Sequence, residues 1–204
     1  MFNNIAKALL ESKAVHLEPN NFFTWTSGIK SPIYCDNRKL ISFPVARKEI
    51  VSGFVAKIKE LYPECESIAG TATAGIPWAA WIANEMNLPM LYIRSKAKAH
   101  GTKSAIEGAP QENQKIVIIE DLISTGKSSI AAADEVKKDN LNLLGVISIF
   151  TYGLEIAKNK FAKAGIDYHS LCSLSELLKY AGEKSLLSNS EIEIIEKWRQ
   201  SIEI

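Results

Sequence analysis

The sequence predicts an α/β domain: a central, mostly parallel sheet flanked by helices, with a small N-terminal hood. Three observations predict it. Ile116, Val117, Ile118 and Ile119 form an unbroken apolar run, the pattern of a strand buried on both faces of a parallel sheet. A helix-forming run, Ile130 to Lys138, follows across a short polar loop. The same order occurs earlier, with an apolar stretch at 68–70, a loop of small residues at 71–75, a helical stretch at 76–87 and a second apolar stretch at 88–93. Strands alternating with helices in this way give βαβ units. A chain of 204 residues can bury one sizeable core, so residues 1–204 are read as a single domain in which 1–40 contribute the hood.

Taken in order, residues 3–13 place Ile5, Leu9 and Leu10 at helical spacing among charged residues, giving a short amphipathic helix. Residues 22–36 are aromatic-rich, and Ser27-Gly28 reads as a turn between two short β-like runs. Residues 44–61 carry Val45, Ile50, Val51, Phe54, Val55, Ile58 and Leu61 as a broad apolar helix face, closed by Pro63. In the helix at 76–87, Trp78 and Trp81 are expected in the core or an interface. Residues 94–108 are polar and bounded by glycine, with four cations and one histidine and neither helical nor strand period. A segment of that length inside a compact domain is a functional loop or a solvated one. Residues 143–150 read as a further buried strand. Ser173 with Glu176, and Ser188 with Glu191, have capping-box spacing and start two C-terminal helices. The last of these puts Ile192, Ile195 and Trp198 on one stripe for packing. His16 and His169 stand apart from any recognisable chemistry.

Composition excludes several classes of function. A formal charge of +1 with 23% charged residues gives no electrostatic footprint for nucleic acid. No apolar run approaches the ~18 residues of a membrane span. The N-terminal stretch is amphipathic and lacks the apolar core of a secretory signal. Cys35, Cys65 and Cys172 are odd in number and scattered, with no metal or redox spacing, which suits a reduced, cytoplasmic protein.

The chemistry concentrates after the run at 116–119. Two carboxylates, Glu120 and Asp121, are followed by Ser124-Thr125-Gly126-Lys127-Ser128 and a helix N-terminus. Loop amides and a helix dipole suit a phosphate. Two carboxylates beside it would repel a phosphate unless they face a sugar diol or a bound divalent cation. The expected ligand therefore carries a phosphate at one end and hydroxyls nearby, as ribose 5-phosphate does. Gly126-Lys127-Ser128 also ends like a P-loop. The first glycine of that motif would fall on Asp121, whose side chain denies phosphate the close backbone approach the motif needs.

Four apolar residues, Glu-Asp, two apolar residues and Ser-Thr-Gly resemble the phosphoribosyl-pyrophosphate (PRPP) signature of the type I phosphoribosyltransferases, which have a Rossmann-like fold. Ser27-Gly28-Ile29-Lys30-Ser31-Pro32 resembles the hood element of the orotate branch of that family, and residues 94–108 resemble its catalytic flap. The resemblance covers nearly the whole chain. It implies transfer of ribose 5-phosphate from PRPP to orotate, yielding orotidine 5′-monophosphate and pyrophosphate for pyrimidine synthesis. It implies Arg94, Lys98 and His100 as the catalytic cations, acting on pyrophosphate from a flap that reaches the neighbouring subunit of a homodimer. Lys96 is one place from another usual lysine, whose own position is Ser95. It assigns Arg94, Lys98, His100, Glu120, Asp121, Leu122, Ile123, Ser124, Thr125, Gly126, Lys127 and Ser128 to PRPP, and Ser124 also to orotate. Mg²⁺ is implied as cofactor, held through PRPP, with Asp121 the one candidate protein contact.

The chain departs from the family pattern at several places. Thr73-Ala74 stand where many members have Tyr-Lys, Thr26 where a lysine precedes the Ser-Gly turn, and Tyr34-Cys35 at the aromatic pair. An arginine expected after the strand at 143–150 has no counterpart in Thr151-Tyr152-Gly153-Leu154. Lys30 and Arg38 are then the candidate cations for the orotate carboxylate. Two other readings share the signature: a purine phosphoribosyltransferase, and a PRPP-sensing regulator without catalysis.

Overall fold

The central sheet is built from residues that cannot be left in water. Ile116, Val117, Ile118 and Ile119 are all fully buried. They alternate between two cores: Val117 and Ile119 on one face of the sheet, Ile116 and Ile118 on the other. The computed structural model describes residues 2–25, 28–95 and 104–202.

The chain runs through helix α1 (Phe2–Glu11), strands β1 (Val15–Leu17), β2 (Phe23–Thr24), β3 (Lys30–Ser31) and β4 (Ile33–Cys35), a 3₁₀ turn (Asn37–Ser42), and helix α2 (Pro44–Leu61). It continues with β5 (Ser67–Thr71), α3 (Gly75–Met86), β6 (Met90–Ile93), β7 (Ile106–Glu107), β8 (Lys115–Ile123) and α4 (Lys127–Lys138). It ends with β9 (Asn142–Thr151), α5 (Glu155–Ala164), β10 (Tyr168–Ser173), α6 (Leu174–Glu183) and α7 (Asn189–Ser201).

Six strands form the main sheet in the order β10-β9-β8-β5-β6-β7. All neighbouring pairs are parallel except β6 with β7. From β5 the chain moves outward to β6, then returns to lay β8 on the other side of β5. The order therefore reverses between β5 and β8, and the C-terminal ends of those strands flank the crevice where open α/β sheets bind ligands. One face carries a core that includes Ile5 and Leu9 of α1, Phe54 and Ile58 of α2, Trp78 and Ile82 of α3, and Leu177 of α6. The other face packs Ala132, Ala133 and Val136 of α4 and Phe161 of α5. Two small antiparallel pairs, β1 with β4 and β2 with β3, make the hood.

Several details differ from the sequence reading. The acidic pair does not follow the central strand but lies inside it, because β8 runs on to Ile123. Eight register pairs with β9, through to Ile123 with Thr151, carry the strand past its charged residues. In α2 the buried stripe is Ile50, Phe54 and Ile58, whereas Val45 in the first turn is 80% exposed. Residues 94–108 are not without regular structure: β7 pairs with β6, and the Arg94 N–H donates to the Ala105 carbonyl, so both roots of the loop form a β-ribbon. Strand β10 and helix α5 carry no clear period in the sequence, since β10 has a mixed burial pattern and α5 buries only Ala157 and Phe161. Both capping boxes form, with Ser173 and Ser188 each accepting from the backbone three residues on.

Candidate active site

Two helices begin at the crevice with their first amides uncapped. Helix α3 starts after the 71–74 loop, and α4 after the 124–126 loop; among the described residues neither has a side-chain cap. Orphan N–H groups and a positive dipole end make each a natural seat for an anion. Gly75 lets α3 begin directly against β8: a Cβ there would drive into the Ile119 carbonyl. Gly126 turns the chain into α4 at φ +75°, and its α-hydrogen side faces the Phe161 ring, where a Cβ would lie 2.7 Å away. Between the two loops lies a cleft of about 500 Å³, lined by Thr71, Ala72, Arg94, Leu122 and Ser124 to Ser128. The Thr71 hydroxyl is buried in its wall with no partner among the described residues, leaving a polar atom for a ligand.

The carboxylates divide their surroundings. Glu120 is 4% exposed, and its Oε2 accepts from the hydroxyls of Ser128 (3.1 Å) and Ser129 (3.3 Å) at the start of α4. Burial and then the Asp121 carboxylate push Glu120 up to about 8. Asp121 is less enclosed and faces the hood, where the Asn37 amide donates to its carbonyl at 2.6 Å. Burial raises Asp121 as well, opposed by a hydrogen bond from Glu120 and the charge of Arg38. Among the described residues no three His, Cys, Asp or Glu side chains group together as a metal cage. Two adjacent carboxylates at a phosphate cleft fit a divalent cation that brings substrate oxygens as its other ligands.

The hood holds the remaining candidates. Arg38 is committed to Asp36, its Nε donating to Oδ1 at 2.6 Å. That guanidinium holds the Asp36 carboxyl below its ordinary value. The Lys30 ammonium instead donates to the Thr24 hydroxyl at 2.7 Å, a neutral partner, and pairs with no carboxylate among the described residues. A third cation comes from outside the hood. Arg199 of α7 lies beside Gly153, in the turn where the family arginine is missing, but it pairs with Glu196 (2.5 Å) and donates to the Ser175 hydroxyl at 2.7 Å. Of these three, Lys30 is therefore best placed to meet a carboxylate.

The structure brings Arg94, Leu122, Ser124, Thr125, Gly126, Lys127 and Ser128 together around one cleft, with Glu120 bonded to its serine rim and Asp121 beside it. Arg94 is paired with Glu107 across the β6–β7 ribbon at 3.4 Å. Ile123 ends the strand facing the core and accepts the Thr151 hydroxyl on its carbonyl. Lys98 and His100 lie outside the described residues, as do Lys96, Thr26 and Ser27. Sequence reading missed Ser129, Glu107 and Asn37, whereas Thr71 opens the small-residue loop at 71–75 that it had marked. Ser129 and Glu107 continue motifs already singled out, whereas the Asn37–Asp121 contact spans 84 residues and has no local signal.

Residues 47–165 match the family described as "Phosphoribosyl transferase domain". Over 200 residues the chain is 52% identical to the orotate phosphoribosyltransferase of Fusobacterium nucleatum subsp. nucleatum, covering 97% of this chain and 95% of that one. The chain belongs to the orotate phosphoribosyltransferase family. Solved structures agree with the fold. The orotate phosphoribosyltransferase of Aeropyrum pernix superposes with a TM-score of 0.77 at 26% identity, over 88% of this chain and 98% of that one. Leishmania donovani UMP synthase superposes at 0.82 with 29% identity, over 98% of this chain but 42% of that longer one. The family match over residues 47–165 spans the cleft at the switch point.

Proposed function

We propose that this chain is an enzyme that transfers ribose 5-phosphate from PRPP to N1 of orotate, giving orotidine 5′-monophosphate and pyrophosphate in the de novo route to UMP. The observation that carries the reading is the crevice between β5 and β8, where two uncapped helix N-termini flank an acidic pair. Its ligand must be anionic at both ends and rich in hydroxyls between them, and PRPP has that form.

Residues 124–128 cradle the 5-phosphate through loop amides and the α4 dipole. Ser124 also borders the base. Asp121 and Glu120 meet the ribose hydroxyls, and the Asp121 carboxylate favours the positive charge that grows on the ring as the C1′ bond breaks. Negative charge collects on the departing pyrophosphate, so Arg94 at the cleft wall, with Lys98 and His100, stabilises it; one such contact is worth about 2–4 kcal/mol in a dry site. His100 can give pyrophosphate a proton, since an imidazole is suited to general acid work near neutral pH. Asp121 would be the protein contact for a Mg²⁺ ion bound with PRPP, which would supply further charge neutralisation. The hood within residues 1–40 covers the base, and Lys30 meets its carboxylate. Residues 94–108 act on the neighbouring subunit of a homodimer, and the protein works in the cytoplasm. Excluding water there protects PRPP from hydrolysis.

The test is the absorbance change of orotate on mixing with PRPP, Mg²⁺ and the protein, beside uracil, adenine and xanthine. Turnover of orotate alone is expected. Turnover of adenine or xanthine instead would establish the purine reading, and PRPP binding without any turnover would leave a sensor.

A further inference from the structure

The C-terminal helix is far in sequence from every residue given a role above, yet it reaches the hood. The Trp198 indole N–H of α7 donates to the Lys30 carbonyl at 2.9 Å, across 168 residues. Trp198 is 8% exposed. Its ring meets Trp25 edge-on at 5.7 Å and Tyr152 at 6.4 Å, while Trp25 lies 5.4 Å from Tyr152. Trp25 in turn donates its indole N–H to the Ile33 carbonyl, which also accepts the Ser31 hydroxyl. Two turns earlier on the same helix, Glu191 accepts from the Asn20 amide at 3.3 Å. Three aromatic rings and two hydrogen bonds therefore tie β2, β3 and their flanks to α7 and to the end of β9.

A two-stranded ribbon has little stability of its own. Strands β2 and β3 share only two register pairs, Phe23 with Ser31 and Thr24 with Lys30. Something else must fix the direction in which Lys30 points, and Trp198 bonds to the backbone of that very residue. We infer that Trp198 is a positioning residue for base recognition: it anchors the Lys30 backbone, so that the β2–β3 ribbon presents its ammonium at a constant place. This rests on the reading of the hood as the cover of the orotate site. It extends that reading to a helix none of whose residues lines the cleft.

Trp198→Phe keeps an aromatic ring and removes only the N–H. The lost hydrogen bond is expected to raise KM for orotate about five-fold, the size of one ordinary hydrogen bond, with kcat and KM for PRPP within two-fold of the parent. Trp198→Ala, which also empties the ring's place, should raise KM for orotate further. Trp25→Phe removes the hood's own anchor and should give the same split. Ile195→Val, a buried change on the same helix, controls for simple destabilisation: it should lower Tm and leave the ratio of the two KM values unchanged. Equal rises in both KM values, or no change in Trp198→Phe, would overturn the inference. Should Trp198→Ala fail to fold, the phenylalanine variants still decide. If the parent protein turns over no orotate, the functional reading itself fails, which is a different result from a parent that works and a Trp198→Phe variant that works equally well.

Discussion

The two walls of the proposed site are made differently. The phosphate wall is backbone: strand ends, two short loops and two helix N-termini, placed by a sheet whose central strand is buried from Ile116 to Glu120. The hood wall is side chains: Asn37 on the Asp121 carbonyl, Trp198 on the Lys30 carbonyl, and a cluster of Trp25, Tyr152 and Trp198. Backbone sites tolerate changes of side chain and fail when an atom is added. Side-chain sites fail when an atom is removed. The same contrast suits their tasks, since a phosphate is the same group on every donor while the base is what a specific enzyme must choose.

Adding one methyl to the phosphate wall should therefore have the largest effect. In Gly75→Ala the new Cβ meets the Ile119 carbonyl, which a paired central strand cannot withdraw. Overpacking of this kind costs about 1–3 kcal/mol of stability, and displacing the loop before α3 should lower kcat/KM for PRPP at least 100-fold, read by steady-state kinetics beside a melting curve. Ser124→Ala, which removes an atom from the same wall, should cost no more than about five-fold. Equal losses in the two variants would erase the contrast.

On the hood wall, removal is what counts. Lys30→Ala should raise KM for orotate by roughly 10–100-fold, the range for a hydrogen bond to a charged group, and leave KM for PRPP alone. Arg38→Ala should change either value less than three-fold, because Arg38 is already bound to Asp36. The reverse ranking, measured by initial rates at varied orotate, would make Arg38 the carboxylate ligand.

The smallest effect concerns the acids between the walls. Glu120 sits near 8 in the fold, above its ordinary 4.5. The folded state thus holds a proton that the unfolded state has lost between about pH 4.5 and pH 8. Stability falls as pH rises through that window, and the penalty is complete above pH 8. Ligand-free Tm should drop by several degrees between pH 5 and pH 8.5, at about 2–4 °C per kcal/mol for a chain of this size. Glu120→Gln should flatten that drop, and a variant as pH-sensitive as the parent would assign the slope to other groups.

The backbone wall was legible in the sequence because its signals are local. An apolar run, an acidic pair, a glycine at the turn and a helical stretch lie within residues 115–138, and short-range pattern is what sequence displays. The βαβ order and the α2 boundaries followed for the same reason. The extension of β8 through Glu120 and Asp121 was not legible, because charged residues in mid-strand become tolerable only once α4 supplies Ser128 and Ser129 to Glu120 and the hood brings the charge of Arg38 toward Asp121. Nor was the hood's anchorage, since Trp198 reads as one more packed residue until its partner 168 positions away is known. Val45 shows the converse: a residue in the right helical register that the fold leaves in solvent.

The central claim is that the crevice between β5 and β8 seats PRPP by its backbone. A crystal of the protein soaked with PRPP tests it most directly. The 5-phosphate should lie on the amides of residues 124–128, with its ribose hydroxyls toward Asp121 and its pyrophosphate at the start of α3 beside Arg94. PRPP bound elsewhere, for example in the roughly 400 Å³ hollow between α1 and the first turn of α2, with residues 120–128 bare, would contradict it.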